Sequence, residues 1–184
     1  SMCSYATIHP ESVDAFFNAA RARGMRAWAG KTCMDRNAPA GLRDTAQSAY
    51  DDSKALLEKW HGVDRLSYVI TPRFSPTSTP EQLHALGTLW AEHPDCLMQT
   101  HLSEQTDEIA WVRDLFPQSR DYLDTYEAQG LLREGALYGH AIHLTDREKS
   151  RLIEAGASLL QLYTGLIYEG PGLIGAIKMG TTVA

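Results

Sequence analysis

Cysteine is scarce in this sequence: Cys3, Cys33 and Cys96 are the three in 184 residues, widely spaced and without a Cys-x-x-Cys pair. An odd, scattered set of this kind excludes a disulfide scaffold and suits a reducing compartment, with the thiols used in packing rather than as ligands or nucleophiles. Long apolar runs are missing too. No stretch approaches the ~20 residues of a membrane span, and Ser1-Met2-Cys3-Ser4 has neither the basic start nor the apolar stretch of a secretory signal. Positive charge is in deficit: 17 Lys and Arg against 23 Asp and Glu give a formal net charge of -6, which offers nucleic acid no basic surface. These absences predict a cytoplasmic protein with no membrane and no nucleic-acid partner. Ser1-Met2 reads as a residue left by tag removal followed by a chosen start.

What remains is ordinary for a globular chain, 43% hydrophobic and 22% charged. With no low-complexity linker, long charge run or short repeat, residues 1-184 read as one domain. Short β-rich stretches ending in polar residues alternate with helical periodicity, the signature of βα units around a parallel sheet. Strands are expected at Tyr5 to His9, Met25 to Thr32, Leu66 to Thr71, Leu97 to Thr100, Ala136 to Ile142 and Ala157 to Tyr163, with Thr181 to Ala184 beginning one more. Between them, Val13, Phe16, Phe17 and Ala20 share a helical face that Gly24 stops. Thr79-Pro80-Glu81-Gln82 supplies a cap, a proline at the first helical position and a side chain for a capping box, ahead of a buried face of Leu83, Leu86, Leu89 and Trp90. Ile109, Val112 and Phe116 continue into another helix, and Thr145-Asp146-Arg147-Glu148 opens a further one that Gly156 ends. The fold class expected is α/β, a (β/α)8 TIM barrel, although the chain is short of the ~250 residues of a complete one. The polar residues at the C-terminal strand ends favour the barrel, because barrels build their sites there.

Three constellations could carry chemistry. In Thr100-His101-Leu102-Ser103-Glu104 an imidazole at a strand end precedes a carboxylate three residues on, the pairing of a zinc ligand with a group that moves protons for a metal-bound water. Tyr138-Gly139-His140-Ala141-Ile142-His143 offers His140 or His143 as a second ligand, with small residues beside His140 leaving room for a metal. Thr71-Pro72-Arg73-Phe74 places a guanidinium fork and an aromatic face together, suited to a flat heteroaromatic with a carbonyl oxygen. Each also has a plainer reading, as local hydrogen bonding, an ion pair or core. His9, His61, His84 and His93 read as surface or helix-end residues, and Trp28, Trp60, Trp90 and Trp111 as packing.

Taken together, Ile70-Thr71-Pro72-Arg73-Phe74, Gln99-Thr100-His101-Leu102-Ser103-Glu104 and Gly139-His140-Ala141-Ile142-His143-Leu144, in this order and spacing, resemble the guanine deaminase family of metal-dependent amidohydrolases. Lys31-Thr32-Cys33-Met34-Asp35-Arg36-Asn37-Ala38-Pro39 and Asp121-Tyr122-Leu123 extend the likeness over nearly the whole chain. What the resemblance implies is an amidohydrolase barrel, here incomplete, with about strands 2 to 7 and a stub of the eighth. It implies hydrolysis of guanine to xanthine and ammonia with one zinc ion, a small-molecule purine as substrate, and a homo-oligomer, a dimer. It makes His101 and His140 the metal ligands, close enough to share one ion, Glu104 the proton shuttle, and Arg73 with Phe74 the purine-binding pair; His143 should point away. The family pattern also has a His-x-His pair on the first barrel strand and an aspartate on the eighth, which this sequence lacks. Where relatives have a Cys-Pro-x-Ser-Asn-like loop it reads Leu162-Tyr163-Thr164-Gly165-Leu166. The chain as given is therefore expected to be catalytically incomplete. Two alternatives remain open here: a related aminohydrolase of another heteroaromatic such as a triazine, a pterin or an oxidised purine, and a non-catalytic barrel fragment.

Overall fold

β1 (Met2–Tyr5), α1 (Pro10–Ala22), β2 (Ala27–Gly30), β3 (Thr32–Cys33), α2 (Ala46–Trp60), β4 (Leu66–Pro72) and α3 (Pro80–Glu92) begin an alternation of strands and helices in the computed structural model, which describes residues 1–156. It continues through β5 (Leu97–Leu102), α4 (Thr106–Leu115), α5 (Tyr122–Glu127), β6 (Ala136–His140) and α6 (Asp146–Glu154). The strands expected at Ala157 to Tyr163 and Thr181 to Ala184, and the altered loop Leu162 to Leu166, lie outside the described residues.

Every strand pairing is parallel, and the order β1-β2-β4-β5-β6 is the order of the chain, with β3 also paired to β4. An open doubly wound sheet reverses its order at a switch point; this one does not, which is the winding of a barrel. Curvature is visible in one side chain. Gln99 Nε2 on β5 donates to the carbonyl oxygen of Ser4 on β1 at 3.0 Å, although those strands would stand about 14 Å apart in a flat sheet at ~4.8 Å per step. The described residues thus form a parallel half-barrel.

On the outer face, Ala27, Ala29, Leu66, Tyr68, Ile70, Met98 and Leu102 pack in one buried core with helix residues that include Val13, Phe17, Leu57, Trp60, Leu83, Leu86, Leu89 and Trp90. Each large aliphatic or aromatic chain so buried contributes roughly 1.5 to 3 kcal/mol. Trp60 and Trp90 pack as expected, whereas Trp111 is 41% exposed. α2 is a helix for which the sequence reading made no provision; Thr45 caps it in a reciprocal box with Ser48.

Three local expectations need correction. The first strand is Met2–Tyr5 rather than Tyr5 to His9, because Thr7 N–H bonds to Ser12 Oγ at 3.1 Å and Pro10 presets the first helical turn, drawing residues 7 to 9 into the approach to α1. The strand from Met25 to Thr32 breaks at Lys31, whose N–H donates to the Tyr68 hydroxyl at 3.2 Å while its ammonium is buried against Asp44 at 2.7 Å. Desolvation holds the Asp44 carboxyl above its ordinary range even beside that ammonium. At α3, Thr79 Oγ1 accepts from Gln82 N–H at 3.2 Å, but the Thr79 N–H goes to Asp35 Oδ1 at 2.8 Å instead of the Gln82 side chain. The box at Thr145 and Glu148 does close, with Thr145 N–H on Glu148 Oε2 at 2.8 Å.

Candidate functional site

The C-terminal ends of β4, β5 and β6 carry the three constellations side by side. Arg73 follows Pro72 out of β4, its N–H donating to the Cys33 carbonyl at 3.0 Å. Next to it stands His101, in register with Gly139 of β6. A Cβ on Gly139 would lie 3.4 Å from both His101 Cδ2 and the Thr100 carbonyl oxygen, so glycine gives the imidazole its space.

His101 Nδ1 lies 2.8 Å from the carbonyl oxygen of Arg73. A carbonyl only accepts, so Nδ1 carries the proton and Nε2 keeps a free lone pair, the tautomer that a metal ligand needs. Burial holds the His101 pKa below the ordinary imidazole value, favouring the neutral ring. Tyr5 flanks it, ring centroids 4.6 Å apart.

His140 reaches the same place by a different route. It pairs with Leu102, whose side chain faces the helices, so the pleat would send His140 outward. The left-handed backbone at His140 (φ 64) and Ala141 (φ 49) turns it back, and its ring stacks on His101 with centroids 5.3 Å apart at 25°. Such a conformation is strained for residues other than glycine, and it occurs where the pleat is overridden. Ser103 also has positive φ, 49°, and the turn brings Glu104 Oε1 to 3.6 Å from His140 Nε2. His101, His140 and Glu104 therefore meet.

Arg73 and Phe74 stack on each other, the guanidinium carbon 4.7 Å from the ring centroid, with Nη1 3.9 Å from Met34 Sδ. His143 sits elsewhere: its N–H donates to the Ser103 carbonyl at 3.1 Å, and it lines a cavity of about 220 Å³ with Tyr122, Thr145 and Glu148. His9, His61 and His93 cap helices, and His84 is exposed on α3. Cys33 and Cys96 are buried, which pushes their thiols up to about 11 and about 12 and leaves them unreactive.

The imidazoles of His101 and His140 stand together on one side of the sheet, and imidazole nitrogen is a donor that zinc accepts. A catalytic zinc takes about three protein ligands, and among the described residues no group of three or more His, Cys, Asp and Glu side chains is arranged to hold a metal. Three contributions escaped the sequence reading: the buried Lys31–Asp44 pair, the Asp35 cap of α3, and the buried hydroxyl of Tyr126 behind His101. No local pattern marks Tyr126, since its partners are remote in the chain.

Residues 1–180 match the Amidohydrolase family. The guanine deaminase of Escherichia coli (strain K12) is 48% identical over 174 residues, 95% of this chain and 40% of that protein. A solved structure of E. coli guanine deaminase superposes with a TM-score of 0.85, covering 90% of this chain and 39% of the other at 48% identity. Guanine deaminase from C. acetobutylicum, solved with guanine in its active site, gives 0.79 at 31% identity over 83% of this chain and 37% of its own. An atrazine chlorohydrolase from Arthrobacter aurescens, complexed with zinc, shares the fold at 17% identity, with a TM-score of 0.77 over 91% of this chain and 38% of its own. The chain spans about two fifths of the length of these proteins.

Proposed function

The chain belongs to the amidohydrolase family, and from that premise we propose that it carries part of a guanine deaminase active site, acting in purine breakdown on a C–N bond of a cyclic amidine. The observation that carries the reading is the stacked pair of His101 and His140 with Glu104 3.6 Å from the second ring. His101 and His140 would hold a zinc ion, which when bound supplies Lewis acidity and activates water for attack on the amino-bearing carbon.

This chain's own residues do the rest. Glu104, at the rim of the imidazole pair, takes one proton from the attacking water and delivers it to the ring nitrogen, then takes the second from the newly added hydroxyl and delivers it to the amino group, which leaves as ammonia as its C–N bond breaks. Arg73 donates its fork to the purine carbonyl, and Phe74 offers its open face to the ring, the other being covered by the guanidinium. The Arg73 carbonyl bond to His101 fixes the purine-binding pair relative to the metal ligand. A carbonyl-bearing purine suits Arg73 better than a triazine, which lacks that oxygen. The free cysteines agree with a cytoplasmic setting, and no helix among the described residues is long and apolar enough to cross a membrane. A dimer is part of the same proposal.

The test is a chimaera in which this chain replaces the matching segment of E. coli guanine deaminase. Zinc-dependent turnover of guanine, with little activity on triazines or pterins, is the expected result; a folded, zinc-loaded chimaera inert toward guanine would sink the reading. The 184-residue chain alone, with two recognisable ligands, should show no steady turnover.

A further inference from the structure

The hydroxyl of Tyr126, on α5, accepts the Ser75 N–H at 3.0 Å and the Thr100 hydroxyl at 3.1 Å, and donates to the His101 carbonyl at 2.7 Å. A phenol oxygen has one proton and two lone pairs, so these bonds use its full capacity. The side chain is fully buried. Its neighbour works alongside it: Thr125 Oγ1 donates to the Tyr122 carbonyl at 2.7 Å and lies 2.6 Å from Ser75 Oγ, which leaves Ser75 as the donor. Thr100 Oγ1 is also 3.3 Å from the Arg73 carbonyl, the acceptor of His101 Nδ1–H.

We propose that Tyr126 is a positioning residue of the site: its hydroxyl ties the backbone of His101 to that of Ser75, so that the imidazole and the Arg73–Phe74 pair keep a fixed separation. The inference rests on the zinc and purine reading above. Its physical basis is that the His101 ring takes its orientation from the Arg73 carbonyl, which stands two residues from Ser75. A segment free to move there would loosen the ring, and outer-shell hydrogen bonds of this kind set metal affinity. The rival is that Tyr126 serves only as core, its ring centroid 5.9 Å from those of Tyr122, on which it stacks, and Tyr138, against which it is tilted at 51°. Phenylalanine keeps the ring and removes the hydroxyl alone.

Tyr126→Phe and Thr125→Val are to be compared with the unmodified 184-residue chain. The first readout needs neither metal nor substrate: amide hydrogen exchange at Ser75 should speed up about tenfold in Tyr126→Phe while central β4 amides are unchanged. The second is Zn²⁺ titration against a chromophoric chelator, where Tyr126→Phe should bind about tenfold more weakly. Thr125→Val, which removes bonds to the Ser75 side chain and the Tyr122 carbonyl but none to the Tyr126 hydroxyl or to His101, should leave zinc affinity within about twofold, inside ordinary context variation. Unchanged exchange at Ser75 overturns the proposal, as does faster exchange with unaltered zinc affinity, which would make the hydroxyl a staple of the fold. If the unmodified chain takes up no zinc, the metal reading fails separately, and Ser75 exchange alone decides the clamp. Should Tyr126→Phe not fold, Ser75→Pro removes the N–H that the Tyr126 hydroxyl accepts, keeps the phenol and faces the zinc titration, with Thr125→Val as the control for the Ser75 hydroxyl lost with it; unaltered zinc affinity there overturns the proposal.

Discussion

His101 gives its Nδ1 proton to the Arg73 carbonyl at 2.8 Å, so one bond sets the tautomer of the imidazole and joins β5 to the segment that carries the guanidinium and the aromatic ring. The ring is fixed in place before any ion arrives, and only Nε2 is left to bind one.

Zinc uptake should follow from that geometry. His101→Ala and His140→Ala are each expected to lower zinc affinity by more than about 100-fold, beyond the range of outer-shell changes. His143→Ala, at a residue that lines a different cavity, should leave it within about twofold. Chelator competition on the purified chain measures all three, and a large loss at His143 would reassign the second ligand.

Glu104 is expected to move protons without holding the metal. In the chimaera, Glu104→Gln should keep its zinc stoichiometry and lose on the order of 10²-fold or more in kcat, because the amide keeps the shape but carries no exchangeable acid proton. Parallel loss of metal and turnover would make it a ligand instead.

Gly30 is predicted to be the least replaceable glycine of the sheet. A Cβ there would lie 1.7 Å from the Val69 carbonyl oxygen and 2.2 Å from Thr71 Oγ1, both on the adjacent strand. Gly30→Ala should therefore force β2 and β4 apart and cost more than about 3 kcal/mol, in the range of severe overpacking. Urea unfolding of the purified variant measures the cost; a change below about 1 kcal/mol would contradict the close approach.

Acid should loosen α5. The hydrogen bonds from Arg120, backbone N–H at 2.9 Å and Nε at 2.8 Å, hold the Asp124 carboxyl below its ordinary range. A depressed folded pKa means that the stabilisation is complete above the unfolded value of ~3.9 and is lost as pH falls through the folded value. Tm should drop as pH is lowered from about 5 to 2. Asp124→Asn should lower Tm at neutral pH and flatten that drop; equal slopes in both proteins would remove Asp124 from the account.

The placement of Arg73 and Phe74 after β4, and of His101 and Glu104 at and after the end of β5, was legible in the sequence because short β-rich runs there give way to polar residues. The orientation of His140 was not, since alternation along β6 sends it outward and only the left-handed backbone at His140 and Ala141 returns it. α2 went unseen because its box closes through Ser48, a weaker signal than Glu or Gln. The second bond at Thr79 belongs to Asp35, 44 positions upstream, and Tyr126 bonds to residues 25, 26 and 51 positions away. Such partners are set by the topology, which no short window contains.

The strand order has a consequence for how the chain assembles. Because each strand lies beside the one made before it, a chain emerging amino end first can dock every new βα unit onto a finished edge, closing only short loops as it goes. β1 and β2 can pair while β5 is still unmade. When β5 arrives, Gln99 reaches back 95 positions to Ser4 and draws the early strands into the curve, so the hollow that receives His101 takes shape during synthesis, one strand ahead of His140.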